Sequence, residues 1–142
     1  MKYFILSLIL LCCSVFVKGQ NQYSAEPSPV LLKERWEAEW ITCPESSLYD
    51  YGVYHFRKTL TLNSRLDSFI INISADNRYR LFVNGKPVCW GPARGDIYHW
   101  YFDTVDIAPL LRPGKNVLAV LVWNFGNYTP GAQMTLKTGL IV

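Results

Sequence analysis

Between Trp90 and Tyr101 the chain gathers four large aromatic residues, Trp90, Tyr98, Trp100 and Tyr101, and places Arg94, Asp96 and His99 among them. Aromatic faces stack on the C–H patches of sugars, and planar polar side chains fork onto pairs of hydroxyls, so this composition suits a saccharide. The candidates for carbohydrate contact are Trp90, Arg94, Asp96, Tyr98, His99 and Trp100. The same residues admit a plainer reading, in which the aromatics fill a core or an interface and Arg94 pairs with Asp96 or braces a neighbouring domain. Both readings stay open at the level of sequence.

Catalysis finds less support. Splitting a glycosidic bond takes two carboxylates facing each other across the sugar. Asp96, Asp103 and Asp106 are close in sequence, but Asp106 precedes "IAPLL" as the cap of a single helical turn. Asp103 falls on the strand face opposite Trp100. Neither His55 nor His99 lies in a nucleophile motif such as G-x-S-x-G. Cys43 and Cys89 are too few ligands for a metal site; they can join as a disulfide in an exported chain or stay as small apolar thiols. Asp76-Asn77 can contribute to a calcium site or form an Asx-turn, the second being the simpler account. No cofactor is implied. Arg94-Gly95-Asp96 spells an adhesion tripeptide, too short to count, and the sequons at Asn72 and Asn127 matter only in a eukaryotic secretory host.

These residues need a scaffold, and the pattern around them is one of strands. "VYHFRKTLTL" (53 to 62) alternates with Tyr54, Phe56, Leu60 and Leu62 on one face, and "SFIINISA" (68 to 75) repeats this with Phe69, Ile71 and Ile73. Period two predicts half-buried antiparallel strands. Asn84-Gly85 predicts a type I′ hairpin turn, because both of its central residues need positive φ. Tyr79, Leu81 and Val83 should then face Trp90, Val88 and Lys86, with Pro87 marking a sheet edge. "YHWYFDTV" (98 to 105) predicts a further strand with Tyr98, Trp100 and Phe102 on one side, and "MTLKTGLIV" a last one. "NVLAVLVW" (116 to 123) is apolar on both faces, so something must cover the face that a two-layer sandwich leaves wet. We expect a loop or a neighbouring domain to do so, through Leu118, Val120 and Val122 if the partner is a protein. About eight short strands without a long helix predict an all-β jelly-roll β-sandwich.

The N-terminus is read apart from the fold. Lys2, the apolar stretch 3 to 17 and the small Gly19 describe a signal peptide over residues 1–19, too short to span a bilayer comfortably, so no transmembrane span is expected. A lipoprotein reading at Cys12 or Cys13 lacks the small residues ahead of the cysteine. Cleavage leaves about 123 residues, one domain's worth, with the formal charge falling from +3 to about +1. That balance offers no field for nucleic acid. Residues 20–35, polar with prolines, read as a leader that can hold a short helical turn in "PVLLKERWEAEW", and 36–142 as the sandwich. The apolar ending at Val142 reads as a domain cut from something longer. The expected location is exported, periplasmic or extracellular.

"SADNRYRLFVNGKPV", a following "GP" and "DIAPLLRPGKNVLAVLVWN" resemble the galactose-binding-domain-like jelly rolls appended to glycoside hydrolases. Together with "WEAEWITCPE", "YHFRKTLTL" and "CWGPARGD", they resemble the N-terminal β-sandwich domain of bacterial α-L-rhamnosidases, over roughly residues 36 to 142. The resemblance implies a secreted glycoside hydrolase that removes terminal α-L-rhamnose from plant rhamnosides or pectic oligosaccharides by inversion. It also implies catalytic carboxylates on a downstream (α/α) barrel, a catalytic domain missing here, so this stretch alone is not catalytic. Three functions follow as expectations: an accessory scaffolding domain of such an enzyme, a free-standing carbohydrate-binding module, or a protein-interaction sandwich.

Overall fold

A computed structural model describes residues 21–142. The expected signal peptide, with Cys12 and Cys13, lies outside the described residues. Seven strands carry the fold: β1 (Gly52–Leu62), β2 (Ile70–Ala75), β3 (Arg78–Val83), β4 (Lys86–Gly91), β5 (Asp103–Asp106), β6 (Gly114–Asn124) and β7 (Leu140–Ile141). Two single 3-10 turns, Ala108–Leu110 and Gly126–Tyr128, are the only helical elements among the described residues. The strands form two antiparallel sheets, one ordered β1-β6-β3-β4 and the other β5-β2-β7. The fold is therefore the all-β sandwich that the alternating pattern predicts.

The core lies between the sheets. β3 contributes Tyr79, Leu81 and Val83, all fully buried, and each sits beside its β6 partner, Val122, Val120 and Leu118 respectively. Ile71, Ile73 and Ala75 of β2, Val105 of β5 and Leu140 of β7 close over them from the other sheet. β1 packs Tyr54, Phe56, Leu60 and Leu62 against this cluster, the alternation expected of it. The expectation for β6 is corrected here: Leu118, Val120 and Val122 face inward and are unavailable to any partner, while Val117, Ala119, Leu121 and Trp123 form the half-buried outer face. Sequence marks both faces as apolar; only the buried position of β6 between β1 and β3 decides which one is core.

The hairpin turn is as expected, with Asn84 and Gly85 at φ of 50° and 79°. Its register is not. Val83 faces Lys86, but a bulge between Leu81 and Phe82 shifts the arm, so Leu81 faces Cys89 and Tyr79 faces Gly91. One extra residue in an arm reverses the side of every later side chain. Cys89 thereby enters the core, and Trp90 is thrown outward. A second correction concerns residues 98 to 102, which are irregular; the strand expected over 98 to 105 is confined to Asp103–Asp106. The last strand likewise shrinks to Leu140–Ile141.

Buried amides fix the loops. The Asn84 side chain donates to the Leu110 carbonyl and to Asn116 Oδ1, both at 2.8 Å, and accepts from the Val117 amide at 2.9 Å. Asn116 in turn holds the Arg112 amide and carbonyl. Asp106 is not the cap expected of it, since the N-cap of the turn is Ile107, which makes no side-chain bond; one residue earlier, its Oδ1 accepts from the amides of Ala108 and Phe69, each at 2.9 Å, and its Oδ2 from the Ser68 hydroxyl. Within the stretch expected as leader, Ala25 donates to the Thr104 carbonyl and Tyr23 accepts from the Asp106 amide, so this segment lies along β5. Residues 30 to 34 make a helix-like turn, with both Lys33 and Glu34 donating to the Val30 carbonyl.

The amides of Phe69 and Ala108 hold the Asp106 carboxyl below the usual carboxylate range. A depressed carboxylate stabilises the fold above its unfolded pKa of about 3.9 and loses that contribution as pH falls through the lower folded value. Asp106→Ala, which removes the bonds to Phe69, Ala108 and Ser68, should cost about 1 kcal/mol at neutral pH, and the gap between variant and wild-type melting temperatures should narrow below about pH 4. Thermal melts at both pH values measure it; a gap that does not change with pH would contradict the assignment.

Candidate functional site

The polypeptide leaves β4 at Gly91 through a cis peptide bond to Pro92, whose carbonyl accepts from the Arg78 guanidinium. Beneath this point the Tyr79 hydroxyl donates to Asp103 and lies 3.5 Å from the Cys89 sulfur. A Cβ on residue 91 would collide with both the Asp103 carboxylate and the Tyr79 ring, so only glycine fits. Burial raises Asp103 above the ordinary carboxylate range, against the lowering effect of the Tyr79 bond and of Arg78. The same burial drives Tyr79 far above an ordinary phenol and pushes the Cys89 thiol up to about 11. At neutral pH that thiol is a packed, uncharged group. Cys43 and Cys89 are both free.

The loop from Pro92 to Phe102 folds around Asp96. Its Oδ1 accepts from the amides of Tyr98 and His99 at 2.8 and 3.0 Å, and its Oδ2 lies 2.8 Å from His99 Nδ1. His99, then the Tyr98 amide, hold the Asp96 carboxyl below its usual range. The ion pair expected between Arg94 and Asp96 is thus replaced by an Asp96–His99 pair, because a turn of four residues brings His99 back onto the carboxylate. Arg94 is exposed, and Tyr98 is 82% exposed.

Trp100 turns away from Asp96 and meets Trp40 edge to face, with ring centroids 5.7 Å apart; Phe102 meets Trp36 in the same manner at 4.9 Å. Trp40 and Trp100 form one wall of a cleft of about 320 Å³, which Leu48, Asp76, Leu136 and Lys137 also line. Asp76 is buried at its base, accepting from the Thr135 hydroxyl and the Leu136 amide at 3.0 Å each. Its neighbour Asn77, at φ 68°, accepts from the Phe125 amide. Asp76 thus serves as a loop anchor across the cleft rather than the start of an Asx-turn. Of the expected residues, Asp96, Tyr98 and His99 share one turn, and Trp100 belongs to this cleft. Sequence reading missed Trp40 and Lys137, whose only signal was an aromatic residue in "WEAEW" and a lone lysine in an apolar stretch.

Trp90 belongs elsewhere. It stands 70% exposed on the outer face of the four-stranded sheet, directly across from Arg80. The Arg80 guanidinium lies 5.0 Å from the Phe82 ring centroid and 5.1 Å from that of Trp90. Its Nε is out of solvent contact with no acceptor. The register extends this face through Leu121 to His55 and, one pair along, through Trp123 to Val53. Arg57 and Arg78 share it, so the surface is aromatic and cationic at once. Each of the three carboxylates has its own partner: Asp96 has His99, Asp103 the Tyr79 hydroxyl and Asp106 the Phe69 amide.

No family model and no curated protein sequence matches the chain. Solved structures do. A GH78 family rhamnosidase of a Bacillus species is similar at 33% identity with a TM-score of 0.67, over 77% of this chain and 12% of that one. An α-L-rhamnosidase from Dictyoglumus thermophilum shares the fold at 22% identity and a TM-score of 0.56, over 75% of this chain and 14% of its own. A Streptomyces avermitilis α-L-rhamnosidase, solved with L-rhamnose, shares it at 24% identity and a TM-score of 0.55, over 84% and 12%. The chain spans about an eighth of each, so the match is to one domain of a much longer protein, and the sandwich is of the kind that α-L-rhamnosidases carry.

Asp76→Asn keeps an acceptor toward Thr135 and Leu136 and removes a charge that burial disfavours, since burial raises the Asp76 pKa. We expect it to melt close to wild type, whereas Asp76→Ala leaves the Leu136 amide unpaired and costs about 2 kcal/mol. Chemical denaturation of the two variants measures the difference; equal losses would contradict the anchor role.

Proposed function

We propose that this chain is the accessory β-sandwich domain of a GH78-type α-L-rhamnosidase, exported with its parent enzyme, and that it acts as a scaffold against a neighbouring domain. The match of 77% of the chain at 33% identity to a GH78 rhamnosidase carries the family part of this reading. The scaffold part is carried by the outer face of the four-stranded sheet. Arg80 lies against the rings of Phe82 and Trp90, and Trp90 stands 70% exposed beside it. Arginine and tryptophan are enriched at the centres of protein interfaces. The parent enzyme removes terminal α-L-rhamnose by inverting hydrolysis with carboxylates that lie outside this chain. No helix among the described residues is long and apolar enough to cross a membrane.

A second reading is favoured by one observation, the Trp40–Trp100 wall above Asp76 and beside Lys137. A cleft of about 320 Å³ has room for a sugar ring, with indole faces for the C–H patches and Lys137 for hydroxyls. The domain then works as a carbohydrate-binding module for rhamnosides, in an enzyme or alone.

Two assays on the purified chain separate these readings. Hydrolysis of a chromogenic α-L-rhamnoside should be absent, and its presence would overturn the placement of the chemistry elsewhere. Titration with L-rhamnose, followed by tryptophan fluorescence, should give no saturable change under the scaffold reading. Saturable binding that Trp100→Ala weakens at least about ten-fold, and Trp90→Ala leaves intact, would establish the module reading instead.

A further inference from the structure

The four-stranded sheet divides the charge of the molecule. Its strands carry Arg57, Lys58, Arg78, Arg80, Lys86 and Lys115 and no acidic residue; all 11 aspartates and glutamates of the chain lie outside it. The near balance of the whole chain is thus an average over a cationic sheet and an acidic remainder. A partner that touches the sheet meets the local field, not the average. Among the described residues the one ion pair is Asp96–His99, so no carboxylate of this chain pairs with a cation of the sheet.

The outer face sets these charges in lines. β6 runs through its centre with Val117, Ala119, Leu121 and Trp123, all half-buried and none charged. On the β1 side the register places Arg57 against Ala119 and His55 against Leu121. On the β3 side it places Phe82 against Ala119 and Arg80 against Leu121. Arg57 is exposed and Arg80 half-buried against Phe82 and Trp90. Arg78 is already engaged by the Pro92 carbonyl, which leaves Arg57 and Arg80 on either side of the apolar line. Their strands lie two strand spacings apart, about 10 Å, and that is the width of an α-helix. The line from Val117 to Trp123 is about 20 Å long, enough for about four turns of helix.

We infer that this face docks an amphipathic helix of another protein domain, laid along β6, with an apolar ridge over Ala119 and Leu121 and carboxylates on both flanks, one row reaching Arg57 and the other Arg80. The apolar line is what selects a protein over another polyanion. A nucleic-acid backbone would press its phosphates onto Leu121 and Trp123, where they lose water and gain no partner. A helix instead puts methyl groups on the line and its acids at the sides, the arrangement of an apolar interface centre with a polar rim. The inference deepens the scaffold reading and rests on it, in that the helix belongs to the neighbouring domain.

The test offers the purified chain two synthetic amphipathic peptides of about 18 residues, long enough to hold a helix. Both share one leucine-rich face, flanked in one peptide by glutamate and in the other by lysine. Tryptophan fluorescence reports binding, through Trp123 at the end of the apolar line and Trp90 beside Arg80. At low salt the glutamate peptide should bind saturably and at least about ten-fold tighter than the lysine peptide, a ratio that shrinks as salt is added. The Arg57→Glu/Arg80→Glu variant should reverse the preference. Arg57→Glu alone, at an exposed position, should cut the ratio at least about three-fold, while Trp100→Ala in the cleft should leave it unchanged. A ratio that survives the arginine variants overturns the inference. So does a DNA duplex that binds as tightly as the glutamate peptide, which would mean that charge alone is read. Equal binding of the two peptides overturns the acidic partner and leaves the scaffold reading standing. Binding of neither overturns the docked helix, and the scaffold reading is then decided by the rhamnose titration alone.

Discussion

The ladder between β3 and β6 is the constraint on which the rest depends. Its inner rungs, Tyr79 with Val122, Leu81 with Val120 and Val83 with Leu118, are buried throughout, with Tyr79, Leu81, Val83 and Val122 out of solvent altogether. Polar networks close both ends. Asn84 and Asn116 tie the hairpin to the chain entering β6, and at the other end Asn124 donates to Thr138 at 2.6 Å while Asn77 holds the Phe125 amide. A buried amide that lost its partners would cost more than an apolar contact of the same size, so these networks select one register for the sandwich.

That constraint also explains what could be read in advance. Strict alternation in "VYHFRKTLTL" and "SFIINISA" was enough for β1 and β2, since period two is a local property. The Asn84-Gly85 turn was legible because only two backbone conformations are at stake. The bulge was not, because Val88 and Cys89 are both apolar and both buried, so the local pattern does not say which of them faces Leu81. The two apolar faces of β6 were visible, but the choice between them is made by its neighbours. Aromatic density misled over residues 98 to 102: Trp100 and Phe102 pack against Trp40 and Trp36, far back in the chain, and need no strand to do it.

The candidate site was half legible for the same reason. The loop named its own residues, yet the structure splits them among three environments. Asp96 and His99 close a turn, Trp100 joins a cleft with Trp40, and Trp90 stacks with Arg80 on the opposite sheet. Residues adjacent in sequence are thereby assigned to different tasks, and the partner that gives each its task, Trp40 or Arg80, lies outside the loop.

The close approach at Gly91 has a consequence for descent. The Tyr79 hydroxyl and the Asp103 carboxylate occupy the space where a side chain would begin. A lineage that keeps these two groups inherits the bare backbone with them, and a bulkier residue can enter only after the phenol or the acid has been lost. The constraint runs one way: a side chain at residue 91 presupposes a change at residue 79 or 103, while either of those can change with glycine still in place.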